Sequence, residues 1–488
     1  MATQLYFSRD SKCYIEFGDK VWEVPVLDGF SFSQGNNTSE ITLNEMESAG
    51  GISRRGRRAF NDSLAAGEWS MSTYVRPFQS AGGASATTGD ADDDANMVHA
   101  VEEVLWAMMA GANAYDTSKY DYENTLAINA TDMVQGETYE IVTVGDTDFT
   151  ITNVATFESG VTAANTVGLV ITAGSVAATG TGTVKRKVTA HTTAQNRVSF
   201  HASNSSTLGT ANIYFVLGDA NRTVMKLKDA VVNEASIDFE IDGIATINWT
   251  GQCSEVLDFS GSTHVGTTIP SASGTPDTTH DGSNIAVGDV WLDSDDTHRL
   301  YIMTDVSASP TTKGYTINEA ITDTSNFIRN RLTTLSVDGT NTTGLLSTGY
   351  DLTLTGGNVT ITNNITYITP EEIGIVNVPI GHVTGTRSVS GSFTCYLAVN
   401  DAARDGSGNK SRDLFEDLRA LTSTVTNSVA LTFSIGGGSG NRLEVSIPTA
   451  HLEIPTHSIE DVISLETNFQ ALPSTIDNTN EATFTYKV

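Results

Sequence analysis

The sequence predicts a mainly β protein with a minor α part: two barrel- or sandwich-type β domains, each with one flanking helix, plus small β insert modules. Three observations predict it. Apolar and small polar residues alternate over many short runs, the period of half-buried strands. Only two stretches carry apolar residues at helical spacing, Met97, Val98, Val101, Val104, Leu105 and Met108, then Leu414, Phe415, Leu418 and Leu421. The order of elements also occurs twice along the chain. A long period in an all-β chain predicts a subunit that closes a ring with its own pseudo-symmetry.

The first copy opens with a strand pair that includes Val21-Trp22-Glu23-Val24, and its next strand, Gly29-Phe30-Ser31-Phe32-Ser33, matches Asn358-Val359-Thr360-Ile361-Thr362. A basic loop follows, and then the strand from Glu68 to Val75, which matches Val389 to Leu397. Each helix has a start signal: Asp92, Asp93 and Asp94 before the first, Ser411 and Asp413 at the second, where carboxylates favour the positive end of the helix dipole. After the helix, Asn212 to Asp219 matches Val429 to Gly436. The turns Ala220-Asn221-Arg222 and Ser439-Gly440-Asn441-Arg442 follow. Then Thr223 to Leu227 pairs with Leu443 to Ile447, and Ile244 to Trp249 with Val462 to Phe469.

Two inserts interrupt this order. Residues 131–186 read as an independent small β module, with two strands around the tight-turn dipeptide Gly145-Asp146 and a Gly180-Thr181-Gly182-Thr183-Val184 close. Residues 262–320 open with a Ser/Thr/Gly/Pro-rich linker from Pro270 to Gly282, and continue as a hairpin from Val287 to Ile302 that turns at Asp295-Asp296-Thr297. The predicted organisation is therefore 1–130 and 187–261 for the first copy, 131–186 and 262–320 for the inserts, and 321–488 for the second copy.

The formal net charge of −31, from 27 Lys and Arg against 58 Asp and Glu, argues against gripping nucleic acid or an anionic membrane. It suits a surface that must not stick to DNA. Cys13, Cys253 and Cys395 form no C-x-x-C pair and read as buried thiols in a reducing cytosol. The amino terminus lacks the basic and apolar regions of a signal peptide, and no run approaches the ~20 apolar residues of a membrane span. None of G-x-S-x-G, G-x-x-x-x-G-K-[ST], H-E-x-x-H or C-x-x-C occurs, so no catalytic residue, metal site or cofactor is expected. Gly406 to Ser411 lacks the spacing of a phosphate loop, and Asp293, Asp295 and Asp296 lack the Gly and Glu of a calcium loop. Against this acidic background Arg54, Arg55, Arg57 and Arg58 stand out, and the second copy has no such cluster at Ile373 to Gly381. Arginine forks onto carboxylates, so these four are the expected subunit or ring contact, on an acidic face of a neighbouring copy.

The run from Val21 through Phe30-Ser31-Phe32-Ser33, Arg54 to Arg58 and Phe60 to Leu64, ending in Glu68-Trp69-Ser70-Met71-Ser72-Thr73-Tyr74-Val75-Arg76-Pro77-Phe78, resembles the major tail tube proteins of tailed bacteriophages. The two inserts resemble small β modules of phage structural, tail and fibre proteins. The resemblance is close over about 60 residues and loose over the two copies. It implies a structural subunit, not an enzyme, located in the virion tail after assembly in the host cytoplasm. It implies stacked rings whose inner sheet lines an acidic channel for double-stranded DNA. Where the tube domain is duplicated, three chains give a pseudo-hexameric ring. The implied partners are the chain itself, as a homotrimer, and other tail proteins (terminator, tip, sheath), with transient passage of DNA and no membrane. The inserts are expected as outward decorations in loops. The competing reading is a tail-tip or fibre adhesin that binds a host glycan through exposed aromatics such as Trp291 and Tyr301. A tube component of a contractile injection system shares the same expected fold.

Overall fold

The computed structural model describes residues 7–18, 20–45, 54–79, 98–110, 127–133, 135, 138–157, 162–186, 195–200, 208–218, 222–266, 279–280, 283–293, 299–305, 311–316, 326–338, 349–373, 375–399, 409–420, 429–459, 461–473 and 481–488. The described chain is mainly β, as its period-2 patterning predicts. The first half contains β1 (Ser11–Phe17), β2 (Lys20–Val24), β3 (Ser31–Ser33), the long hairpin β4 (Asn36–Glu45) and β5 (Arg54–Leu64), β6 (Gly67–Tyr74), β7 (Pro77–Gln79), β8 (Val98–Ala100) and helix α1 (Glu103–Ala110). A small module follows, made of β9 (Ala127–Asn129), β10 (Thr138–Thr143), β11 (Ala155–Phe157), β12 (Val170–Ala173) and β13 (Thr183–Arg186). The chain then returns through β14 (Gln195–Ser199), β15 (Ala211–Leu217), β16 (Thr223–Glu240), β17 (Thr246–Cys253) and β18 (Glu255–Asp258).

The second insert holds β19 (Thr263–Gly266), β20 (Thr279–His280), β21 (Ser283–Asn284), β22 (Val290–Asp293), β23 (Leu300–Asp305), β24 (Thr311–Thr312) and β25 (Gly314–Thr316). The second half consists of β26 (Thr334–Asp338), β27 (Leu354–Thr362), the hairpin β28 (Ile365–Ile368) and β29 (Gly381–Thr384), β30 (Ser388–Tyr396), helix α2 (Ser411–Ala420), β31 (Val429–Ile435), β32 (Arg442–Leu452), β33 (Thr456–Ile459), β34 (Ile463–Ala471) and β35 (Thr483–Lys487).

The two halves share one antiparallel strand order. The first runs β3-β6-β17-β16-β15-β1, and the second runs β27-β30-β34-β32-β31-β26. They share a bulge as well. Ala211 faces Ala230 while Ile213 faces Leu227, and Val429 faces Ala450 while Leu431 faces Ile447. A bulge adds one residue to one strand and bends it, so its recurrence at the same place fixes the correspondence residue by residue. Leu227 matches Ile447, as the sequence predicts. The ladders that follow place Phe32 against Val359 and Trp69 against Gly391. The sequence pairing of Phe30 with Val359 is therefore displaced by two residues. A shift of two leaves every side chain on its own face, so alternation cannot detect it.

The halves join edge to edge. The distal part of β16 pairs with β17 on one side and with β27 on the other, from Glu234 opposite Thr362 to Glu240 opposite Gly356. The last strand, β35, lies between β32 and β14, so the end of the chain closes on the first half. One apolar core runs through both, including Trp69, Phe215 and Trp249 with Phe393, Phe433 and Phe469.

Helix α1 departs from expectation. Val98–Ala100 pairs with Pro77–Gln79, so the helix begins only at Glu103, and all of its residues are buried rather than one face. The predicted start signal at Asp92 to Asp94 lies outside the described residues. The Glu103 carboxylate accepts the Ala100 N–H at 3.3 Å, and Asp413 accepts the Lys410 N–H at 2.9 Å. This reach back over three residues satisfies an orphan donor at each helix start. Helix α2 begins at Ser411 and buries Leu414 and Leu418, as its spacing predicts.

The inserts differ from one another. The first has its own five-stranded sheet and its own core of Tyr139, Ile141, Phe149, Ile171 and Val184. No strand follows Gly145-Asp146, because the next carboxylates fold the backbone into turns. Asp146 accepts from Thr181, and Asp148 accepts from Thr150 and Asn165. The second insert is not a loop decoration held away from the core, as the sequence suggested. Val290, Leu292, Leu300 and Ile302 pack on Tyr14, Val21, Tyr214 and Val224, and Lys313 pairs with Glu16 at 2.6 Å. Trp291 is buried and Tyr301 packs beside it, so the exposed-aromatic reading of Trp291 is corrected: alternation within β22 turns it inward against Ile285 and Met303. The turn at Asp295 to Thr297 lies outside the described residues. All three cysteines are buried and free, as predicted.

Candidate functional site: a polar sheet face without cations

Side chains alternate across a strand, so the buried core fixes what the other face presents. On β6, Trp69, Met71 and Thr73 are buried while Glu68, Ser70 and Ser72 point the other way. On β17 the same face carries Asn248, Thr250 and Gln252. On distal β16 it carries Glu234, Ser236, Asp238 and Glu240. Across the joint it continues with Asn358, Thr360 and Thr362, then Ser390, Ser392 and Thr394, then Glu466, Asn468 and Gln470. These described rows hold hydroxyls, amides and carboxylates, and none of these positions is Lys or Arg.

The polar groups hold one another flat. Ser31 and Ser70 hydroxyls lie 2.8 Å apart, Ser72 donates to Asn248 Oδ1 at 2.7 Å, and Asn248 Nδ2 donates to Asp238 at 2.8 Å. Two contacts cross the joint: Ser236 and Thr360 hydroxyls at 3.1 Å, and Thr362 to Glu234 at 3.3 Å. Farther along, the Asn358 side chain accepts the Ser392 N–H at 2.9 Å, and Asn468 donates to Glu453 at 3.0 Å. Where these donors and acceptors pair with one another, they offer little to a passing polyanion.

Two shallow grooves open on this face at matching positions. One is lined by Ser31, Glu68, Ser70 and Gln252, the other by Asn358, Ser390, Ser392 and Gln470. Beneath each groove an aromatic ring covers a glycine, with the partners exchanged between strands. Trp69 on β6 lies over Gly251 on β17, whereas Phe469 on β34 lies over Gly391 on β30. A Cβ at either glycine would strike the ring and a backbone carbonyl.

The predicted contact residues sit elsewhere. Arg54, Arg55, Arg57 and Arg58 lie on β5, not in a loop, in the hairpin that leaves the sheet between β3 and β6. The ladder from Glu45 opposite Arg54 to Ile41 opposite Arg58 keeps this stretch extended. Arg57 pairs with Glu40 at 3.3 Å, both well exposed, and the Arg58 guanidinium lies 5.7 Å from the Phe60 ring centre. The matching hairpin β28–β29 has no arginines in its turn. Instead it exposes Ile373, Ile375, Val376 and Ile380, and Asn377 hydrogen-bonds back to Asp62 and Leu64 of the first hairpin.

A second polar cluster is sealed inside. Glu102 accepts from the Tyr486 hydroxyl at 2.7 Å and from the Arg76 N–H at 3.4 Å, and Trp106 Nε1–H donates to the Tyr486 oxygen at 2.7 Å. Burial pushes the Glu102 carboxyl up to about 7, against the lowering effect of its hydrogen bonds. Its partners tie α1 to the last strand, so its role is structural.

No family model matches the chain. It is similar to the tail tube protein pb6 of Escherichia phage T5, with 24% identity over 463 residues, covering 94% of this chain and 69% of that protein. This similarity supports the reading of the chain as a phage tail tube protein. Sequence reasoning named the arginines as the expected contact and did not name the residues of the polar face. Their signal is visible in Trp69-Ser70-Met71-Ser72-Thr73-Tyr74, where every second position is small and polar without a charge.

Proposed function

We propose that this tail tube protein carries two copies of one tube domain, with three chains closing head to tail into a pseudo-hexameric ring. The copies are 1–130 with 187–261, and 321–488, with inserts at 131–186 and 262–320. Rings stack into a tube, the polar sheet face lines the channel, and double-stranded DNA passes along it without tight binding. The observation that carries this reading is the joint at Glu234–Thr362, which continues one cation-free face from one half into the other.

The physics supports the arrangement. An exposed sheet edge is a template for another chain, so a subunit with two such edges polymerises where a monomer would aggregate. A face of hydroxyls, amides and carboxylates releases no counterions to DNA phosphates, and its field repels them. The arginines of β5, with the apolar turn of β28–β29 beside them, supply the contact to an adjacent subunit or ring. The other partners are the tail proteins at the two ends of the tube and, in a contractile tail, a sheath. The role is structural rather than catalytic, and it is reached by assembly in the host cytoplasm before incorporation into the virion.

Negative-stain microscopy of the purified chain tests the reading. Hollow tubes or six-lobed rings with a central hole are expected. Compact monomers under every assembly condition would overturn it.

A further inference from the structure

We propose that a second copy of this chain docks with its β3 edge on β33, in the register of the intramolecular joint between β16 and β27. This rests on the ring reading above and specifies its closing contact. In the first half, Glu234 to Glu240 pairs with β17 and offers its other edge to β27. The matching segment of the second half is β33, which pairs with β34, from Thr456 opposite Glu466 to Ile459 opposite Ile463. Among the described residues β33 has no strand on its other side, and all four of its residues are exposed. The strand that matches β27 is β3, and among the described residues it pairs only with β6.

The correspondence fixes the register. Asp238 matches Ser458, and Asn358 matches Ser31, so Ser458 lies opposite Ser31 of the second copy. By the same steps Thr456 lies opposite Ser33, His457 opposite Phe32, and Ile459 opposite Phe30. The hydroxyl pair Ser236–Thr360 at 3.1 Å is then repeated by Thr456 and Ser33.

The apolar side of the joint supplies the independent argument. Phe239 is 2% exposed, lies over Gly357, and reaches Phe433 at 5.5 Å. Ile459, at the matching position, is 78% exposed, so this chain leaves uncovered what its own other half buries. On β3 the position of Gly357 is held by Phe30, which stacks 4.9 Å from Phe215, the counterpart of Phe433. The slot that Phe239 fills within the chain is thus already filled by Phe30 on β3, and the incoming residue is smaller. Large on small at one joint, and small on large at the other, conserve volume at both. The exchange also makes the joints non-interchangeable, which favours head-to-tail closure over mispairing of like halves.

The test uses the full chain with Ser31→Cys and Ser458→Cys. Directly opposed strand residues lie about 4.5–5.5 Å apart at Cα, within disulfide range. The native thiols are buried. Oxidation is expected to give covalent trimers, and the shifted pair Ser33→Cys with Ser458→Cys to give none. Rings that form without the Ser31–Ser458 crosslink would overturn this register and leave the ring reading standing. A chain that forms no ring would overturn both. In a second arm, Ile459→Phe alone is expected to raise the concentration needed for assembly roughly tenfold by overpacking. Phe30→Gly added to it is expected to restore assembly by recreating the Phe–Gly pair; no restoration would overturn the proposal.

Discussion

Tyr486 links three buried polar groups across the chain, and its hydroxyl both donates to Glu102 and accepts from Trp106. Tyr486→Phe strands both partners, and a loss of roughly 2–3 kcal/mol is expected in urea denaturation. Glu102 also makes stability depend on pH. Its folded-state value of about 7 lies above the ordinary 4.5, so its contribution is fully present below about 4.5 and is lost as pH rises to about 7. Glu102→Gln is expected to flatten the stability profile between those limits; an unchanged profile would refute the assignment. A third residue-scale expectation concerns Gly251. Gly251→Val pushes into the Trp69 ring and the Val231 carbonyl and should cost about 1–3 kcal/mol. None of these pairings was legible in the sequence. Trp69 and Gly251 are brought together only by the β6–β17 ladder, and Glu102 and Tyr486 only by the return of β35 to the first half.

At the scale of elements, strands read well and ends read poorly. The β6, β16 and β27 runs declare themselves by alternation, because one face is buried. Helix α1 was overextended because Val98–Ala100 carries apolar residues that suit a strand equally well, and only its pairing with β7 decides. The inserts show what sequence can and cannot distinguish. The first begins at Ala127 and ends at Arg186 on strands paired through Lys185 and Ala127, so its two ends are neighbours. Deleting 131–186 should leave a folded chain that still forms tubes; loss of tubes on deletion would contradict this. The second insert covers Tyr14 and Tyr214, so deleting 262–320 should expose that face and cause aggregation, read by light scattering. Both inserts looked alike in sequence because burial against another element leaves no local mark.

For the whole molecule, charge is informative in sum and in placement. The −31 total permitted an acidic channel but did not locate it, whereas the face from Glu68 to Gln470 is a specific set of positions. Ser70→Lys with Ser392→Lys places a cation at two matching points of the face. DNA passage should slow, most strongly at low salt. Reversing Arg54, Arg55, Arg57 and Arg58 to Glu should leave the fold intact by circular dichroism and impair polymerisation; normal tubes from that variant would remove their contact role. The central claim is that one chain supplies two of six ring positions. Native mass spectrometry of isolated rings tests it most directly. Three chains per ring is the predicted result, and six chains per ring would contradict it.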